Sequence, residues 1–172
     1  GESLAKMQDT QFIEDNITRL FLPKGEMEFD LMVLQSITGP IGQPAGEAVY
    51  PPLNNEAGTP MNAMNDFEIV MSAEDLPPTN AFWSVTLYDT EQGFFIPNDR
   101  FKYSVGENAG YELNEDGGIR IVIAAEQPEG VPEENWLPLN RGDYDIDLSM
   151  RIYAPDLERF ADWTPPVVRK ID

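Results

Sequence analysis

The sequence predicts an all-β fold, an antiparallel β-sandwich or barrel entered through one N-terminal helix. Short runs of β-branched and aromatic residues recur beyond residue 66, and turn-forming residues separate each run from the next. Helical spacing does not alternate with these runs, which argues against βαβ units and a parallel sheet.

In residues 9–22, Ile13, Ile17, Leu20 and Phe21 fall at helical spacing, with Asp9 or Thr10 as N-cap and Pro23 and Gly25 as terminators. Met27, Phe29, Leu31 and Val33 then alternate with Glu28 and Asp30, the period of two expected of a half-buried strand. Residues 38–65 hold too many Gly, Pro and Asn for a helix or a central strand, and predict a long irregular connection: a lid, an arm against a partner, or a surface wrap. Strands are expected at 67–73, 81–88, 94–96, 101–105, 119–125 and 144–153. Pro77 and Pro78 introduce the second, Asn98 and Asp99 follow the third, and Asp116-Gly117-Gly118 supplies the positive φ of a hairpin turn. Residues 163–166 read as an extended tail packed through Trp163. On this reading residues 1–45, a helix and a strand, pack on or extend from a β-sandwich domain of residues 46–172.

A chain of 172 residues is long enough for one real core. Its 31 Asp and Glu against 11 Lys and Arg give a net charge of -20, a surface that repels polyanions. Nucleic acid and anionic lipid need clustered cations to neutralise phosphates, and the sequence has no such cluster. No apolar run approaches the ~20 residues that cross a bilayer, and the first residues are no signal peptide, so membrane insertion is not expected. The acidity suits a hydrated exterior in saline surroundings, or a field that draws in cations.

Cys and His are both absent. Thiolate chemistry, the commonest metal ligands and His-dependent triads are thereby removed. G-x-S-x-G, Walker-type, G-x-G-x-x-G and H-E-x-x-H motifs are missing as well, so any catalysis rests on carboxylate or Tyr chemistry, and no cofactor or metal is expected.

Between Gly142 and Tyr153, Asp143, Asp145, Asp147, Ser149, Arg151 and Tyr153 share one strand face, while Tyr144, Ile146, Leu148, Met150 and Ile152 occupy the other. Alternate strand residues lie about 6.5–7 Å apart, too far for three carboxylates to share one Ca²⁺ or Mg²⁺, so the acidic ladder reads as a solvated face. Residues 112–117 resemble the start of a calcium loop, but Ile123 stands where a bidentate Glu is needed, and a turn explains them. Arg151 and Tyr153, beyond the ladder, can pair with a neighbouring Asp, bind a carboxylate or line a pocket. Trp83, Trp136 and Trp163 either form a core layer or line a groove on which a sugar or aromatic ligand stacks.

Several ordered motifs carry a family resemblance: Glu47-Ala48-Val49-Tyr50, Ala81-Phe82-Trp83-Ser84-Val85-Thr86-Leu87-Tyr88-Asp89, Tyr103-Ser104-Val105-Gly106, Asn114-Glu115-Asp116-Gly117, Asn135-Trp136-Leu137-Pro138, Arg151-Ile152-Tyr153-Ala154-Pro155 and Trp163-Thr164-Pro165-Pro166. Through them residues 47–168 resemble the bacterial domain of unknown function 1214, which is often fused behind domain of unknown function 1254. The resemblance implies a jelly-roll-like sandwich and a periplasmic or secreted setting, and brings no catalytic residues with it. Asn140 departs from it, standing where the family usually has a second Pro, and the companion domain is absent from this sequence.

Three functions remain in contention. The first is a cell-envelope module that binds a small molecule or glycan through Trp83, Tyr88, Asp89, Asn135, Trp136, Arg151 and Tyr153. The second is an assembly protein whose N-terminal arm clasps other protomers as a homo-oligomer. The third is a hydrolase that uses Asp89, Tyr88 or Arg151 near Asn135 and Trp136.

Overall fold

Alternation within the strands decides the architecture. The structure, a computed structural model, describes residues 10–16, 19, 21–22, 25–38 and 42–171. Nine strands are assigned within them: β1 (Ala48–Val49), β2 (Met61–Asn62), β3 (Asp66–Met71), β4 (Thr79–Asp89), β5 (Ser104–Gly106), β6 (Ile119–Ala124), β7 (Trp136–Pro138), β8 (Asp145–Pro155) and β9 (Val168–Ile171). They form two sheets. The first has order β1-β8-β4-β5, with β2 also on β8, and the second has order β7-β6-β3-β9. All pairs are antiparallel except β6 with β7.

The core lies between the sheets, because each strand sends alternate side chains inward. From the first sheet come Trp83, Val85 and Leu87 of β4 and Ile146, Leu148, Met150 and Ile152 of β8, all buried. Phe67, Ile69 and Met71 of β3 and Ile119, Ile121 and Ile123 of β6 meet them. Lying between β7 and β3, β6 is buried on both faces, and Val122 and Ala124 join Trp136 and Val131 in a smaller cluster on its far side. A strand covered on both sides reads as the near-continuous apolar run Ile119 to Ala124, broken only by Arg120. The predicted sandwich is the observed one.

The N-terminal third differs from expectation in two elements. The expected first helix is present only in its first part, as α1 (Thr10–Asn16), and Phe21, expected on its apolar face, has a left-handed φ of 62° in a turn. Asp9, Ile17, Leu20 and Pro23 of that reading lie outside the described residues. The strand expected from Met27 to Val33 is instead a helix, α2 (Phe29–Thr38). Alternation there covers only half the segment: Met32 and Leu34 put apolar residues where a strand needs polar ones, and Phe29 and Met32 are exposed. Leu31 of α2 is buried, with Phe12, Phe21 and Met27 packed around it.

Residues 42–65 wrap the edge of β8. Val49, Leu53 and Met61 enter the core, β1 and β2 add rungs to β8, and Pro52 bridges Ser149. The expected strand at 94–96 is reduced to one bridge between Tyr88 and Phe95. Gly117 has the left-handed φ of 81° expected of its turn, and the Gly118 amide donates to Asp116 Oδ1 at 2.9 Å. The tail is anchored as expected: Trp163 Nε1 donates to the Asp75 carbonyl at 2.8 Å, beside a one-turn helix α3 (Leu157–Phe160).

Candidate functional site

The register that buries one face of β4 and β8 sets a row of polar and aromatic side chains on the other. Phe82 stands opposite Tyr153, Ser84 opposite Arg151, Thr86 opposite Ser149 and Tyr88 opposite Asp147. Phe82 and Tyr153 stack with ring centroids 4.3 Å apart. At the other end Tyr88 stacks on Phe95 at 5.3 Å, and Phe95 on Tyr103 at 4.9 Å. Cross-strand aromatic pairs of this kind stabilise a sheet by roughly 0.2–1 kcal/mol each and leave a flat apolar surface behind. Tyr50, which follows β1, lies close enough to Tyr153 and Arg151 to feel both: burial, then Tyr153, push its hydroxyl pKa up, and Arg151 draws it back.

Arg151 sits between the two aromatic groups. Its Nη1 donates to Thr86 Oγ1 at 3.1 Å, its Nη2 donates to the Tyr88 hydroxyl at 2.8 Å, and its guanidinium carbon lies 5.6 Å from the centre of the Tyr88 ring. Both partners are neutral. Five other arginines meet carboxylates: Arg120 pairs with Glu68 at 2.8 Å, Arg141 with Asp66 at 2.7 Å, Arg169 with Glu56 at 3.3 Å, Arg19 with Glu28 at 3.8 Å, and Arg100 with Glu133. Among the described residues Arg151 has no such counter-ion, although acids outnumber bases 31 to 11 in the chain. A guanidinium has five N–H donors in a fork that matches a carboxylate, so this one retains capacity for an anion.

A cleft of about 520 Å³ opens beside it, within the range of small-ligand sites. Thr86 and Phe95 join it to the Arg151 cluster, and Phe101, Lys102, Tyr103 and Ser104 continue its wall. Phe101 is 79% exposed, yet its φ is 53°, a left-handed conformation that bulky residues rarely adopt. The bend is enforced locally: Asn98 Oδ1 accepts from the Arg100 and Lys102 amides, and Asn98 Nδ2 donates to the Lys102 carbonyl at 2.8 Å. Lys102 Nζ donates to the carbonyls of Glu133 and Glu134, and burial lowers its pKa.

Of the residues expected at a site, Tyr88, Arg151 and Tyr153 come together on this face. The others point elsewhere. Trp83 is a core residue stacked on Tyr111 at 5.4 Å. Trp136 is buried, its Nε1 donating to the Ala124 carbonyl at 2.9 Å while Arg100 covers its ring. Asn135 is 1% exposed and spends its side chain on the Glu112 backbone, accepting from the amide and donating to the carbonyl, each at 2.8 Å. Asp89 ends β4 in phase with the inward residues, where its Oδ1 accepts from the Gln92 amide at 2.8 Å. It therefore lies apart from Tyr88 and Arg151, in a separate depression with Asn140 and Tyr144. Tyr50, Phe82 and Tyr103, present in the sequence motifs, and Phe95, Phe101 and Lys102 were not named as site residues from sequence, although Phe82 shares its strand phase with Tyr88 and that phase was a readable signal. Asp143 and Asp145 both accept from Asn62 Nδ2, at 3.2 and 3.3 Å, and no group of three acidic side chains is placed to hold a metal ion among the described residues. No helix among the described residues is long and apolar enough to cross a membrane.

Comparison with known proteins places these features in a family without assigning them a role. No curated protein matches the sequence. The crystal structure of the VPA0106 protein from Vibrio parahaemolyticus is similar over 96% of this chain, with a TM-score of 0.73 and 22% identity. This chain covers only 42% of that protein, so the similarity speaks for a shared fold. An uncharacterised protein from Burkholderia cenocepacia aligns over 72% of this chain and 28% of its own, at 18% identity and a TM-score of 0.45. The family described as "Protein of unknown function (DUF1214)" matches residues 47–157, a span that includes β1 through β8 with Arg151 and the whole cleft, and the chain belongs to that family.

Proposed function

We propose that this domain is a binding module that takes a small organic molecule or a short glycan on the outward face of its five-stranded sheet. The reading rests on Arg151, a guanidinium satisfied only by hydroxyls and set between two aromatic stacks beside an open cleft. Aromatic faces supply contact area at low entropic cost, and one unpaired cation supplies orientation. A hydrolytic reading has less support, because Asp89 does not share a face with Tyr88 and Arg151. The envelope setting implied by the family resemblance is part of the proposal, and cell fractionation checks it.

Isothermal titration of the intact chain against a panel of metabolites and oligosaccharides tests the reading. A ligand whose affinity falls about tenfold or more in Tyr88→Ala, with the melting temperature little changed, is expected. Binding that is indifferent to Tyr88→Ala, Arg151→Gln and Phe82→Ala together would put the site somewhere else on the molecule.

A further inference from the structure

The chemistry of the face narrows what it would hold. Lys102 lies in the cleft wall and Arg151 lies behind it, bonded to the lining residue Thr86, and among the described residues neither has a carboxylate at ion-pair distance. Arg100, next to Lys102 in the chain, is already neutralised by Glu133. Glu133 and Glu134 also line the cleft, so the guanidinium beyond Thr86 is the cation left to receive an anion. Of the two free cations, Lys102 directs its ammonium at the carbonyls of Glu133 and Glu134, whereas Arg151 keeps unused N–H donors. Glu133 and Glu134, beside Lys102 in the wall, repel an anion from that end. The remaining wall is aromatic: Phe95 and Tyr103 lie 14° from parallel, and Phe101 is held open at the mouth by a left-handed backbone.

Resting on the binding reading above, we infer that the ligand is a monocarboxylate with a flat ring-bearing body, its carboxylate on Arg151 and its ring along Phe95, Phe101 and Tyr103. Arg151 and the ring wall are joined through Thr86 and through the Tyr88–Phe95 stack, so one small molecule reaches both. Polarity fixes the orientation. The anionic head turns from Glu134 toward the guanidinium, and a neutral ring end lies where a second charge would meet the acidic rim. The site therefore discriminates against dicarboxylates and phosphates.

Titration of the full chain with benzoate, 4-hydroxybenzoate and 3-phenylpropionate, each beside its amide, separates charge from shape. At least one acid is expected to bind about tenfold or more tightly than its amide, the size of effect a charge-assisted hydrogen bond produces. Arg151→Gln should erase that preference, Arg151→Lys should keep part of it, and Arg159→Gln, remote on α3, should leave it intact. Phe101→Ala, at an exposed position where folding is not at stake, should weaken acid and amide alike. Amides that match their acids, or an acid preference that survives Arg151→Gln, overturn the carboxylate assignment. If all six compounds fail while an oligosaccharide binds in a Tyr88-dependent way, the monocarboxylate class is wrong and the binding face stands. Failure of every compound and every sugar removes both.

Discussion

At the residue scale, the chain spends stability on two side chains of the outward face. Phe101 holds φ at 53° with its ring in water, a backbone state that costs about 1–3 kcal/mol in a non-glycine residue. Phe101→Gly should accordingly leave denaturant stability unchanged or raise it by up to about 1 kcal/mol, while ligand affinity falls. Asp147, opposite Tyr88, has its carboxyl pKa pushed up by burial, partly offset by the Leu148 amide. The folded state thus disfavours the ionised form. Its contribution to stability is largest below the ordinary carboxylate pKa and declines as pH rises through the raised folded value. Asp147→Asn should melt slightly higher than the parent at pH 7, and the gap should close as pH falls toward 4. The gain stays small because the residue as a whole reaches solvent. Thermal melts across that pH range check the sign. The importance of Arg151 was visible in sequence only as a choice among pairing with an Asp, binding a carboxylate and lining a pocket. What separated these was register: the residues opposite and diagonal to it are Ser84 and Thr86, not acids.

At the element scale, legibility followed the clarity of the period. β3, β4, β6 and β8 were readable because apolar and polar residues alternate, or because a β-branched run sits between turns. α2 was misread because four residues at period two look like a strand until Met32 and Leu34 are counted against it. β7 and β9 were missed for another reason. Trp136–Pro138 and Val168–Ile171 are too short to show a period, and each exists because a longer neighbour, β6 or β3, offers an open edge. The three Trp motifs announced large side chains without saying which way they face, so Trp83 and Trp136 were candidates for a groove and turned out to be walls of the interior. β5 supplies a test of how tightly the first sheet is built. A Cβ on Gly106 would lie 2.3 Å from the Trp83 carbonyl oxygen and 2.7 Å from Ser84 Cα, backbone atoms with no freedom to yield. Gly106→Ala should destabilise the protein by about 1–3 kcal/mol and loosen Ser104, hence the cleft, beyond it. Urea unfolding, with ligand titration on whatever remains folded, measures both.

At the scale of the whole molecule, the sandwich confines its apolar side chains between two sheets and leaves a carboxylate-dominated exterior. Self-repulsion among surplus acids opposes the compact state, and salt screens it. The melting temperature should rise as ionic strength increases from about 0.01 M to 0.15 M, over which the screening length shortens from about 30 Å to 8 Å. A flat response would mean that the acids are already offset by local partners. The two sheets also differ in how their outer faces handle cations. The four-stranded one neutralises Arg120 with Glu68 and Arg141 with Asp66, and only the five-stranded one carries a guanidinium whose partners are hydroxyls. The pairing of β9 with β3 has a consequence for biosynthesis. Residues 66–69 wait for residues 168–171, about a hundred positions later, before their sheet has its outer rung. Such distant pairing makes folding slow and leaves the edge of β3 bare on the ribosome, open to any passing strand. Lys170, exposed on β9 beside the Arg169–Glu56 pair, puts positive charge on that rim once it closes, a guard against stacking with a second molecule that arrives only at the end of translation of this segment.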